Sequence, residues 1–226
     1  MGSLSSPEKL QKGAYFTDIH FGRRSNCSVH NQDCLDFIDF FCSEVYKDSS
    51  IDHIVFLGDW HENRTNLDLN TLNYSREGMS KLNDLGVPIF ILVGNHDMRY
   101  ISSRGIHSIP HFNEFSNVIV VDEPTFFPQI ENGAFMCPFI FQEEYAFLSS
   151  GAAEGETNGA KTWLGHFEFK GFRITGGNTI MQSGPSIDDF SGPTKIFSGH
   201  FHKRQNQRNT FYIGNAFPMD FGDAGD

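Results

Sequence analysis

Five times along this chain a short apolar run is followed at once by a cluster of side chains able to hold a metal ion or move a proton. The clusters are Asp18-Ile19-His20, Gly58-Asp59-Trp60-His61-Glu62-Asn63, Gly94-Asn95-His96-Asp97, Gly165-His166 and Gly199-His200-Phe201-His202. Apolar runs of about four residues bounded by turn residues read as buried strands, so each cluster stands at the carboxyl end of a strand. Between the first three strands (residues 14–17, 54–57 and 89–93) the apolar spacing becomes helical. Cys34, Ile38, Phe41 and Val45 mark one helix, and Leu72, Met79, Leu82 and Leu85 mark another that Gly86 and Pro88 stop. Strands alternating with helices imply a parallel sheet with right-handed crossovers, and such sheets bind ligands at their carboxyl edge.

Beyond residue 115 the pattern changes to short strands at residues 118–121, 135–137, 163–165, 172–175, 196–198 and 211–213, divided by turn residues. This texture predicts a second, more antiparallel sheet. Residues 149–160, rich in glycine, alanine and glutamate, read as a mobile surface loop. Residues 1–12 read as a flexible leader, and residues 13–226 as one α/β domain, long enough to bury roughly 70% of its unfolded surface.

The net charge of -11 argues against a protein that grips nucleic acid by bulk electrostatics, although a local basic rim would override that. No run of eighteen apolar residues exists, and the start of the chain is polar. A membrane span and a signal sequence are therefore not expected, and a cytoplasmic setting is, host cytoplasm if a phage encodes the chain. Cys27, Cys34, Cys42 and Cys137 form no C-x-x-C pair and read as reduced packing residues. The 24 phenylalanines are read as core.

A lone histidine is more often a surface or satisfied core residue than a ligand. Five clusters, each closing an apolar strand, do not fit that reading together. Their oxygen and imidazole donors suit manganese, iron, zinc and related ions, and the D-x-H and H-x-H spacings let alternate residues face one pocket. The donor count implies two divalent ions. Asp18, His20 and His202 are assigned to one, Asn95, His166 and His200 to the other, and Asp59 bridges them. Two carboxylates against two dications leave about two positive charges, which favours a phosphodiester over a neutral amide.

These five motifs, in this order, resemble the calcineurin-like metallophosphoesterase superfamily. More narrowly, residues 87–97, 165–171 and 198–214 resemble the nuclease subunit of bacterial SbcCD complexes and its counterpart in T-even-type phages. The resemblance implies a two-sheet β sandwich flanked by helices, a four-layer αββα fold. It implies a manganese-dependent DNA exonuclease and endonuclease of repair or recombination, working with an SMC-type ATPase (an SbcC-like subunit). His96 would then be the catalytic histidine. In some relatives a histidine stands three residues after the bridging aspartate, whereas His61 stands two after Asp59, so a transition-state role and a surface role both stay open for it. Asp97 is either a carboxylate orienting His96 from behind or a loop cap.

Seven of the nine arginines (Arg23, Arg24, Arg64, Arg99, Arg104, Arg204 and Arg208) trail a ligand cluster by nine residues or fewer. Guanidinium groups there would hold phosphates flanking the scissile bond. The competing reading is a stand-alone phosphodiesterase or phosphatase acting on nucleotides or small esters; a non-catalytic module would not need the full ligand set. Relatives continue past this point into a DNA-capping region and an ATPase-docking segment. The chain is accordingly expected to be a catalytic core with an acidic tail (Asp220, Asp223, Asp226), and any homodimer to use its two amino-terminal helices.

Overall fold

In the computed structural model, which describes residues 9–149, 157–174, 179–190 and 192–219, the first apolar runs form β1 (Gly13–Phe16), β2 (His53–Phe56) and β3 (Ile89–Leu92). β2 and β3 are buried along their whole length, which is why they read as unbroken Ile/Val/Phe/Leu runs and not as alternating ones. The sheet is parallel throughout, in the order β1-β2-β3-β6. Its fourth strand, β6 (Val118–Val121), was expected in the second sheet and instead extends the first. Val118 is buried on the helix-covered face and Val121 in the layer between the sheets, while Ile119 is exposed.

Helices α2 (Ser28–Lys47) and α3 (Leu69–Asn83) cover the outer face of this sheet. The Asp68 carboxylate starts α3 by accepting the Thr71 N–H at 2.7 Å. Cys34, Leu35 and Ile38 of α2 and Met79 and Leu82 of α3 pack on Phe16, Ile54, Phe56, Ile89 and Ile91. Before α2 the chain makes a short turn, α1 (Arg23–Asn26), with Arg24 and Ser25 in left-handed conformations.

The second sheet has six strands: β7 (Thr125–Phe127), β8 (Ala134–Cys137), β9 (Thr162–Gly165), β10 (Lys195–Ser198), β11 (Gln205–Gln207) and β12 (Thr210–Tyr212). Their order is β11-β12-β10-β9-β8-β7. Only the outer pairs, β7–β8 and β11–β12, are antiparallel; the four central strands are parallel, so the antiparallel expectation is corrected. Parallel neighbours need crossover connections, and the segments that looked like loops, including α4 (Gln142–Ser149) between β8 and β9, supply them. The expected strand at 172–175 shrinks to one bridge between Arg173 and Ile180, with residue 175 outside the described residues.

Val55, Leu57, Phe90 and Leu92 of the first sheet meet Ala134, Met136 and Leu164 of the second in the central layer. Phe135, Trp163, Ile196 and Tyr212 pack outward on Tyr145 and Leu148 of α4. The result is the four-layer αββα arrangement, and the phenylalanines are chiefly its filling. Of the expected leader, residues 1–8 lie outside the described residues, while Leu10 pairs with Ile130 and the Gln11 N–H donates to Asp52 at 2.7 Å. The expected mobile loop falls mostly on residues 150–156, outside the described residues, and Thr157 and Ala160 next to it are buried. The acidic tail, residues 220–226, also lies outside them. The four cysteines are free thiols.

A hairpin of β4 (Met98–Tyr100) and β5 (Ser103–His107), followed by the short helix η1 (Pro110–Glu114), joins β3 to β6. Arg104 in this hairpin is 6% exposed and does not face a phosphate path. Its guanidinium donates to the carbonyls of Asp122 (2.6 Å) and Phe139 (2.7 Å), pairs with Glu144 and reaches Glu123 at 3.0 Å. Arg104→Ala would strand Glu144 and two carbonyls in a half-buried pocket, and is expected to cost about 2–4 kcal/mol. For a chain of this size that corresponds to roughly 5–15 °C in melting temperature, read by thermal denaturation of the metal-loaded protein.

Candidate metal centre

The carboxyl ends of β1, β2, β3, β9 and β10 meet at one edge of the sandwich. Asp18, His20, Asp59 and His200 hold positive φ values of 51°, 53°, 62° and 85°, conformations that non-glycine residues rarely adopt outside over-determined sites. Glycines make room for them. A Cβ on Gly94 would overlap the backbone and carboxylate of Asp59, and one on Gly58, whose φ is 107°, would strike the His166 ring.

Asp18, His20 and His202 form one donor set. His20 Nε2 lies 3.1 Å from His202 Nε2, and each of these nitrogens is 3.8 Å from Asp18 Oδ1. His166 Nε2 and His200 Nδ1 converge on Asn95 Oδ1 at 3.0 and 2.9 Å to form a second. Asp59 Oδ2 stands between them, 3.9 Å from His20 Nε2 and 3.3 Å from His166 Nε2. These are the seven residues assigned to metals from the sequence, and the fold brings all of them together.

Five of the seven donors present one atom to the centre while the other is engaged elsewhere. His166 Nδ1 donates to the Leu57 carbonyl at 2.6 Å, leaving Nε2 to point inward. His20 Nδ1 lies 2.8 Å from Glu62 Oε2, and His200 Nε2 lies 3.1 Å from Glu168 Oε2. Asp18 Oδ2 accepts from Thr17 Oγ1 at 2.7 Å and the His200 N–H at 3.0 Å, so Oδ1 is buried with no hydrogen-bond donor. Asp59 Oδ1 accepts the His96 N–H at 2.8 Å, leaving Oδ2. Partners on the far nitrogen of a ligating histidine select its tautomer and aim its lone pair. An orphaned carboxylate oxygen and two imidazole nitrogens aimed at each other make a set that fits a cation.

The electrostatics agree. Burial alone would raise the Asp18 pKa, yet the neighbouring imidazoles of His20, His166 and His202 bring it down to about 2. Asp59 is likewise held well below the ordinary carboxylate range against its burial, chiefly by His166. Burial opposes a charge on His20, but Asp18 and Glu62 lift its pKa to about 10; Asp59 does the same for His166, to about 9. In the absence of cations these ring protons balance the carboxylates, and a divalent ion takes their place.

Glu62 and Glu168 are the contributors that sequence reasoning missed. Glu62 was inside a cluster the pattern had marked, and Glu168 follows His166 by two; both partner a ligating histidine, and both add negative charge that the two-carboxylate count left out. His96 lies at the rim of the same cleft, a space of about 380 Å³. Its Nδ1 is 3.0 Å from the Glu62 carbonyl, which leaves Nε2 as the nitrogen able to exchange a proton with the cleft.

His61 is neither in the cleft nor on the surface. It is fully buried, with Nδ1 2.7 Å from Ser108 Oγ and Nε2 2.8 Å from Ser75 Oγ, and burial pushes its pKa down to about 3, so it stays neutral. Asp97 is a loop cap and does not touch the His96 ring. Its carboxylate accepts the N–H groups of Asp59, Trp60, His61 and Gly94 at 2.9–3.3 Å, tying the loop after β2 to the loop after β3. Burial and the Asp59 charge raise its pKa to about 6.

The arginines divide. Arg23 lines the metal cleft, with Nη1 3.6 Å from Glu62. Arg64 and Arg99 line one side pocket of about 220 Å³. Arg24 donates to the Met219 carbonyl at 2.5 Å, Arg208 pairs with Asp188, and Arg204 faces a groove with Tyr15, Phe197 and Phe211. These last three do not line the metal cleft, because loops that trail a strand end can turn along either side of the sandwich.

Residues 14–204 match the calcineurin-like phosphoesterase family. The chain belongs to that family. It is therefore a metal-dependent phosphoesterase, and all seven donors of the centre lie within the matched residues. The chain is 28% identical over 184 residues to exonuclease subunit 1 of Enterobacteria phage T4, covering 81% of this chain and 53% of that protein. It is 27% identical over 180 residues to putative phosphoesterase 078R of Invertebrate iridescent virus 3, covering 77% and 50%. The chain thus spans about half the length of the curated relatives it matches. A crystal structure of Pseudomonas putida nuclease MPE aligns over 84% of this chain and 61% of that one, at 14% identity and a TM-score of 0.41. No helix among the described residues is long and apolar enough to cross a membrane.

Proposed function

We propose that the chain is a two-metal DNA nuclease, cutting phosphodiester bonds with manganese and working with an SMC-type ATPase. The observation that carries this reading is Asp59 Oδ2 facing both His20 Nε2 and His166 Nε2, so that two donor sets share one carboxylate beside His96. Two divalent cations held by Asp18, His20, His202, Asp59, Asn95, His166 and His200 would supply positive charge against the phosphodiester and a lowered pKa for water. His96 Nε2 gives a proton to the leaving oxygen or donates to the phosphoryl group, while the Glu62 carbonyl holds the ring in place. Arg64 and Arg99, which have no acidic partner among the described residues, hold a neighbouring phosphate, and Arg23 offsets the charge of Glu62. The exonuclease activity and the subunit role are supported by the name of the phage T4 relative, exonuclease subunit 1.

The test offers the purified chain labelled single- and double-stranded DNA and a chromogenic phosphodiester in parallel, with manganese, with and without the matching ATPase. Manganese-dependent DNA cleavage that the ATPase stimulates on duplex is the expected result. Hydrolysis of the chromogenic ester with none of DNA would replace this reading by a small-ester phosphodiesterase.

A further inference from the structure

Beside the metal cleft lies a second, larger groove of about 610 Å³, within the usual size range of small-molecule sites. Ile140 and the buried Tyr145 form its floor. Phe139 and Phe141, half-buried and set edge to face at 6.1 Å, form one wall. Ile101, at the turn of the β4–β5 hairpin and 78% exposed, also lines the groove. Gln142 and Glu168 bring polar groups to the edges.

Two features make this more than a surface dent. It opens onto the metal centre, since Glu168 lines both spaces and the Phe139 ring lies 5.7 Å from that of His200 and 6.2 Å from that of His166. Its aromatic wall is also held from behind: Arg104 donates to the Phe139 carbonyl and stacks 4.8 Å over the Phe141 ring. A rigid apolar wall with polar edges, adjoining the place where a phosphodiester would be held, matches a planar heterocycle with a π-face and hydrogen-bonding rim.

We propose that this groove receives the nucleobase next to the scissile phosphate, turned out of its stack against Phe139 and Phe141, with Ile101 closing over it and Gln142 and Glu168 at its polar edge. The inference rests on the nuclease reading of the metal centre. A base can enter only when unpaired, so the groove selects single strands and frayed ends.

The experiment uses single-stranded oligonucleotides in which every link but one is a phosphorothioate, and walks one abasic residue past the cleavable bond in the presence of manganese. Abasic substitution at a single flanking position is expected to lower kcat/KM by roughly 5- to 150-fold, the scale of one stacked base. 2-Aminopurine at that position in an uncleavable strand should brighten on binding as it leaves its neighbours. Phe141→Leu, which keeps apolar packing on Arg104 but has no ring face, should shrink both effects; Ile101→Ser, at an exposed turn, should do so without touching the core. Equal abasic effects at all positions, or effects unchanged in both variants, would overturn the proposal. If no strand were cut while a chromogenic phosphodiester was hydrolysed, the nuclease reading itself would fall, and the base groove with it.

Discussion

Asp59→Asn is expected to abolish hydrolysis, by roughly 10³-fold or more, and to reduce the number of tightly bound divalent ions from two. Asparagine has nearly the same shape, and its side-chain oxygen can still accept the His96 N–H, so the loop should keep its course. What changes is the group facing His20 and His166, which becomes neutral at the one position shared by both donor sets. Loss of several kcal/mol of charge stabilisation, at about 1.4 kcal/mol per tenfold, gives a rate effect of that size. Titration calorimetry with manganese decides the matter. Two equivalents bound by the variant at wild-type affinity would contradict the bridging role.

His96→Asn should behave differently, keeping both metals and losing roughly 10²- to 10⁴-fold in rate, the scale of a positioned proton donor. The distinction is a real one here. His20, Glu62 and His96 bring ligand atoms within 4.8 Å of one another, so a metal could in principle be shared with His96. Against that, the His96 Nδ1 is taken by a backbone carbonyl, and the ring crosses that of His20 edge-on at 5.0 Å. Metal analysis of the purified variant separates the two roles. A variant that lost one equivalent along with its activity would make His96 a ligand.

Most of the metal centre was legible in the sequence because it obeys a local rule: apolar strand, small residue, donor cluster. That rule survives whatever the strands do next, so Asp18, Asp59, Asn95, His166 and His200 could be placed before their distances were known. The supporting groups were harder to read. Glu62 and Glu168 look like ordinary loop acids until the fold sets them behind His20 and His200. Arg104 and Arg208 trail ligand clusters within nine residues, as Arg23 does, yet one is buried in a pair with Glu144 and the other is paired with Asp188, because sequence spacing says nothing about which side of a strand end a loop will take. His61 failed for a related reason: the Asp97 cap draws its backbone inward and turns the ring toward Ser75 and Ser108. In the second sheet, short strands separated by turn residues suggested hairpins. The one helix described between its parallel strands β8 and β9, α4, is only eight residues long, too short to announce a crossover by its periodicity.

Asp18, His20, Asp59, Asn95 and His96 belong to the first sheet, and His166, His200 and His202 to the second. A pair of cations at this edge would therefore act as a rivet through the seam of the sandwich, adding to the hydrogen bonds of Asp18 to the His200 backbone, His166 to Leu57, Asn95 to His166 and His200, and Phe139 to Val93. Catalysis and cohesion then draw on the same few bonds. A chelator would loosen the two halves of the molecule as well as silence it, and the lifetime of this chain in a cell would follow the supply of its metal.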